Sequence, residues 1–137
     1  TEQVAVRNIN TAADQIAAIS KLGCRFAIDD FGAGYSSYTY LKSLPVHFIK
    51  IDGSFIKTLA KDLVDQTIVN SISQIARATN KQTIAEHVTN AKTFELLREL
   101  GIDFAQGYYI GKPSARPTCK AINVPRKIIP LKIKLAS

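Results

Sequence analysis

The chain has 137 residues, of which 46% are hydrophobic and 21% charged, a balance that excludes a disordered polypeptide and suits a domain with a real core. No apolar run reaches the roughly 18 residues that cross a bilayer, and the opening Thr1-Glu2-Gln3 lacks the basic start and apolar segment of a signal peptide. The formal net charge of +7 belongs to one end: residues 1–113 hold 12 of the 18 Lys/Arg and all 11 Asp/Glu, whereas 114–137 hold only bases.

The chain therefore divides into a near-neutral globular part, 1–113, and a basic tail, 114–137. A basic tail can touch polyanions, but no aromatic residue interleaves these lysines, so a solvated terminus is expected and nucleic acid is not expected as a partner. Cys24 and Cys119 form no CxxC pair and read as reduced thiols of a cytoplasmic protein.

Residues 11–22 place Ile16, Ile19 and Leu22 on one helical face, and Gly23 ends that helix. Cys24–Ile28 then alternates into a short buried strand, which stops at Asp29 and Asp30. Residues 36–43 predict a short helix opened by Ser36 or Ser37 and closed before Pro45. "VHFIKI", 46–51, predicts a second strand. The longest helix is expected over 62–79, with Asp62 as N-cap and Leu63, Ile68, Ile72, Ile75 and Ala76 inward. "QTIAE", 82–86, is a third strand; 90–100 is a helix capped by Asn90, with Phe94, Leu97 and Leu100 inward and Gly101 at its end. "DFAQG", 103–107, is a fourth strand, and in the tail "KIIPLKIKL" alternates like an edge strand interrupted by Pro130.

Strand and helix alternate four times, which argues for parallel βα units. An open doubly wound sheet and a piece of a (β/α)8 barrel both fit; a whole barrel needs about 250 residues, so this chain would supply about half of one. Every strand also ends on polar residues at its C-terminal side: Asp29-Asp30, Lys50 with Asp52, Glu86 followed by His87, and Gln106 before Gly107. In parallel α/β folds that edge is where ligands bind. Singly, an aspartate there reads as well as a helix cap. Together, three acids and a lysine suit a hard divalent cation, Mg²⁺ or Mn²⁺ rather than zinc.

The motifs "DDFGAGYSS", "LKSLPVHFIKID", "TIAEHV" and "QGYYIGKP" resemble, in order and spacing, the EAL-domain family of cyclic-di-GMP phosphodiesterases, over residues 1–113. The resemblance implies an α/β fold, the C-terminal half of a (β/α)8 TIM-like barrel. It implies bacterial second-messenger signal transduction in the cytoplasm, by hydrolysis of cyclic di-GMP to pGpG with two Mg²⁺ or Mn²⁺ ions. Carried over by position, Asp29 would bridge both metals and Asp30 would bind one. Lys50 would hold and polarise the attacking water, Glu86 would position that lysine or a metal-bound water, and Gln106 would hydrogen-bond near the water site. Glu2 would brace the loop 31–37.

The departures are Ala33 for a threonine, His87 for a glycine and Thr89 for a glutamate. The EAL signature, the family's asparagine ligand and the first glutamate of E-x-T-E all lie outside this sequence. Hence the chain is expected to be inactive alone, to hold the two metals weakly or not at all, and to act as a homodimer or with the N-terminal half of the barrel. The alternative expectation is a degenerate EAL-type domain that binds cyclic di-GMP or a protein partner without catalysis.

Overall fold

Four short apolar runs become four parallel strands, β1 (Ala27–Phe31), β2 (Phe48–Ile51), β3 (Gln82–Ala85) and β4 (Phe104–Ala105), lying side by side in chain order. The structure is a computed structural model that describes residues 2–33 and 38–113, with the backbone alone for 2–8 and Thr39. The helices are α1 (Glu2–Ser20), α2 (Tyr38–Ser43), α3 (Gly53–Thr58), α4 (Leu63–Ala78) and α5 (Ala91–Glu99). The tail 114–137, with Cys119 and the proposed edge strand, and the caps proposed at Ser36 or Ser37 lie outside the described residues.

Strand order separates the two architectures that the sequence leaves open. A doubly wound sheet reverses direction part-way and takes helices on both faces. Here the order never reverses, and right-handed crossovers repeated in one direction keep the helices on one face. The core bears this out. Ile49 and Ile51 of β2 and Ala85 of β3 are buried with Leu41 of α2, Ile56 of α3, Val69, Ile72 and Ala76 of α4, and Leu97 of α5. The chain thus forms part of a TIM-type barrel, four parallel strands alternating with helices.

Because side chains alternate across a strand, the opposite face carries Phe48, Lys50, Gln82 and Ile84, all only half-buried. At its lower end Phe48 and Phe104 meet edge to face at 5.9 Å. Arg25 covers the Phe48 ring, 4.2 Å from its centroid, and donates to Gln82 Oε1. A parallel sheet normally has both faces covered; among the described residues this one has a helical cover on one.

Caps set several boundaries. Asp62 accepts from the amides of Val64 and Asp65, and Asn90 accepts from that of Thr93, so both predicted N-caps form. The buried hydroxyl of Thr83 and its amide donate to Asp103 Oδ2, while the Asp103 amide donates back to Thr83 Oγ1. That exchange ties β3 to the entry of β4.

Several expectations need correction. The first strand does not stop at Asp29 and Asp30 but runs through both to Phe31, because Phe31 is buried in the core and its carbonyl accepts the Asp52 amide. The first helix begins nine residues before position 11, at Glu2, since no glycine or proline interrupts 2–20. Its apolar stripe is not buried: Ile19 is 42% exposed and Leu22 82%. α1 precedes β1, which stands at the edge of the sheet among the described residues. Leu63 is 75% exposed because it is the first residue of α4, turned away from the sheet that Ile72 and Ala76 cover. Helix α3 was not expected; Asp52 caps it, accepting from the Ser54 amide.

Helix α5 ends on Gly101, whose φ of +69° suits glycine and whose missing Cβ leaves room for the Arg77 guanidinium. That guanidinium donates to Ser73 Oγ and to the carbonyls of Leu100 and Gly101. Gly101→Ala should therefore lower stability by more than the roughly 1–2 kcal/mol of left-handed strain, because Arg77 must also leave. Gly23→Ala, also left-handed but facing open space, should show the strain alone. Urea unfolding midpoints of the two variants check this; equal losses would refute it.

Candidate active site

β1 carries the feature that makes the site. Ala27 and Ile28 pair with Phe48 and Ile49, but Phe31 pairs with Ile51, so one extra residue is inserted in β1 opposite Lys50. This is a β-bulge, a device that re-aims side chains at strand ends. Asp30 takes up the irregularity with φ +48°, a left-handed conformation that aspartate tolerates better than most residues. The Asp30 amide donates to Asp29 Oδ1 at 3.2 Å. Two neighbouring residues of a regular strand would point to opposite faces. Here the ligand oxygens of Asp29, Asp30 and Glu86 all lie within 4.8 Å of one another.

Lys50, on the open face of β2, reaches into this cluster. Its Nζ donates to Asp29 Oδ1 at 2.7 Å and meets Glu86 Oε1 at 2.9 Å. The Asp29 side chain is 64% exposed and that of Glu86 only 15%, so the ammonium links a wet carboxylate to a sheltered one. The hydrogen bond from Lys50 holds the Asp29 carboxyl below its ordinary value, with Lys50's charge and the Asp30 amide adding to it. In return Asp29 first, and then Glu86, raise Lys50 above its ordinary value.

The sign of the pH dependence follows. The depressed Asp29 contributes stability that is present above its unfolded value of about 3.9 and is lost as pH falls through its lower folded value. The raised Lys50 contributes stability that is present below about 10.4 and is lost as pH rises through its higher folded value.

The other predicted residues fall out as follows. Gln106 follows β4; its amide donates to Ala85 O and its carbonyl accepts from Val88 N, while its exposed side chain stands at the same sheet edge. Glu2 opens α1, and its side chain lies outside the described residues, as do residues 34–37 of the loop it would brace. Asp52 is not in the acidic cluster: it is spent on the α3 cap, where the Ser54 hydroxyl and amide lower its carboxyl. What sequence reasoning missed was the bulge, whose only trace is an unbroken "FAIDDF" in which the second aspartate, not a glycine, turns left-handed.

Three hard oxygen donors around one point, beside a cation that already neutralises part of their charge, fit a divalent metal of the Mg²⁺ or Mn²⁺ type in donor chemistry. In the absence of added divalent cations, the Asp29 carboxyl ¹³C signal should titrate below about 3.9, and Lys50→Met should move that midpoint upward. An unmoved midpoint would mean that the pairing does not persist in solution.

Comparison with known proteins agrees with this picture. The EAL domain family model matches residues 1–113, and the chain belongs to the EAL domain family. Over 113 residues it is 44% identical to "Cyclic di-GMP phosphodiesterase PdeB" of Shewanella oneidensis, covering 82% of this chain and 13% of that protein. Among solved structures, "PaMucR Phosphodiesterase, c-di-GMP complex" superposes with a TM-score of 0.72 at 39% identity, covering 80% of this chain and 44% of that one. The EAL domain of Mycobacterium smegmatis DcpA gives a TM-score of 0.73 at 38% identity, covering 77% and 47%. The chain thus spans under half of the solved chains and a small fraction of the curated relative.

Proposed function

We propose that this chain is the C-terminal half of a divalent-metal-dependent phosphodiesterase that hydrolyses cyclic di-GMP to pGpG in the cytoplasm. The observation that carries the reading is the convergence of Asp29, Asp30 and Glu86 on one point around Lys50, at the C-terminal edge of the strands. The names of the relatives support the substrate.

On this reading Asp29 and Asp30 hold Mg²⁺ or Mn²⁺. Bound there, such an ion would supply Lewis-acid activation of water and stabilisation of charge at the phosphate. Lys50, kept protonated by its two carboxylate partners, orients the attacking water and offsets negative charge in the transition state. Glu86 fixes the lysine; Gln106 and Glu2 complete the surroundings, the one beside the water and the other behind the loop 31–37.

Three carboxylates are a partial cage. The sheet face without helical cover, with Phe104 46% exposed, and the edges of β1 and β4 that have no strand partner among the described residues are what a second half-barrel would cover. We therefore read the chain as inactive alone, with its exposed face covered either by the N-terminal half of the barrel or by a second copy in a homodimer.

A second reading, a domain that binds cyclic di-GMP or a protein without turnover, draws on Lys50, which engages two of the three acids directly, and on Thr89 where the family has an acid.

The test is hydrolysis of cyclic di-GMP by the chain joined to an EAL N-terminal half, with product identified by mass. Turnover is expected with Mn²⁺ or Mg²⁺ and not with chelator. Asp29→Asn, Asp30→Asn and Lys50→Ala should each lower kcat by about a hundredfold or more, the scale of a lost charge-stabilising group. Tight binding with no turnover in any metal would favour the second reading.

A further inference from the structure

We propose that His87 is a positioning residue for the Lys50–Glu86 pair, seated in a notch that exists because residue 53 is a glycine. The proposal rests on the reading of that pair as working machinery. His87 directly follows Glu86 and holds φ at +57°. Glycine would occupy that conformation freely, whereas a residue with a Cβ is strained there. The chain nevertheless places an imidazole at this point.

Gly53 shows the complementary choice. Its φ lies outside the left-handed region, so its backbone does not call for glycine, yet it is buried at the start of α3. A Cβ built on it would land 2.9 Å from His87 Cγ and 3.1 Å from Nε2, and nearer still to Cδ2. The approaches to Cγ and Cδ2 are closer than real Cβ contacts, so a side chain at 53 would force the ring to shift from this position. One position accepts strain to present a ring, and the other gives up its side chain to receive it.

The consequence is mechanical. Lys50 lies three residues before Gly53, and Glu86 one residue before His87. On its other side the same segment is stitched to the turn after β4: the Val88 amide donates to Gln106 O at 3.0 Å, and Val88 O accepts from the Tyr109 amide at 3.1 Å. The segment 86–88 is thus held by backbone bonds towards β4 and by the His87 ring towards β2. The β2–β3 ladder runs to Ile51 and Ala85; beyond it the ring against Gly53 sets where the segment 86–88 stands, and with that the 2.9 Å between Lys50 Nζ and Glu86 Oε1.

The full chain, labelled with ¹⁵N-lysine, tests this through hydrogen exchange at the Lys50 ammonium, compared with the thermal midpoint. His87→Gly relieves the left-handed strain, so its midpoint should hold or rise. Exchange at Lys50 should nevertheless accelerate about fivefold or more, the mark of local loosening. His87→Phe, which keeps a ring, should stay within about twofold of the parent. Gly53→Ala should lose both midpoint and protection, and adding His87→Gly should recover the midpoint only. Unchanged exchange in His87→Gly overturns the proposal, and so does a lower midpoint with unchanged exchange, which would make the ring purely structural. The readout is the ammonium and not turnover, so failure to hydrolyse cyclic di-GMP would sink the catalytic reading while leaving this result interpretable.

Discussion

Carboxylates that share a few ångströms repel one another, and everything at the upper edge of this sheet answers that constraint. A like-charge pair at about 4 Å costs roughly 1 kcal/mol in water and several times that where the surroundings are less polar. Such groups stay ionised together only beside a cation. Lys50 is that cation. It stands on β2, between β1, which carries Asp29, and β3, which Glu86 directly follows, within 2.9 Å of one acid on either side. Its position in "FIKI" between buried Ile49 and Ile51 leaves it no freedom to face elsewhere. The sheet's hydrophobic register thus decides where the charge goes, and the charge decides how many acids can gather.

The same economy explains where the backbone departs from regularity. Three non-glycine residues among those described have positive φ: Asp30, Asn80 and His87. Asn80 sits in the turn between α4 and β3, where asparagine commonly takes that shape. The other two lie at the ends of β1 and β3, one inside the acidic cluster and one beside it. Strain of this kind persists where surrounding structure over-determines it. Around Asp30 that structure is the bulge, anchored by buried Phe31. Around His87 it is the Gly53 notch on one side and the Val88–Gln106 bond on the other.

Much of the fold was legible in the sequence because it rests on period and punctuation. The caps at Asp62 and Asn90 and the stops at Gly23 and Gly101 are local chemistry, and local chemistry survives folding. The alternation of strands and helices pointed to parallel units, and the strand order then chose the barrel. What stayed hidden was relational. Nothing in "AIDDF" says that the register slips between Ile28 and Phe31, so that residue 31 rather than residue 30 stands opposite Ile51. Nothing in the hydrophobic pattern of 11–22 says that Ile19 and Leu22 lack a sheet to lie on. The carboxylates themselves were visible as strand-end residues, together with Lys50, because parallel sheets present chemistry at that edge. Their gathering into one cluster needed the bulge, and Asp52 was assigned to the edge when its side chain was already committed to α3.

The sheet face that has no helical cover among the described residues shows how closely site and scaffold are linked. Along β2 the open side carries Phe48 and then Lys50; on β3 it carries Gln82 and Ile84, with Glu86 just beyond. One strip of sheet thus changes from an aromatic floor, closed by Arg25 over Phe48, to a charged rim within two side chains. In a closed barrel such a floor is a packed layer that shuts water out from below, and the rim is left facing a pocket open at one end only. Here the floor is partly wet, so charges at the rim act in a more polar medium, where each interaction is weaker. Covering the Phe48–Phe104 face would therefore do more than hide apolar surface. It would lower the local dielectric around Lys50, strengthen its hold on Glu86, and raise the demand of Asp29 and Asp30 for a cation of their own.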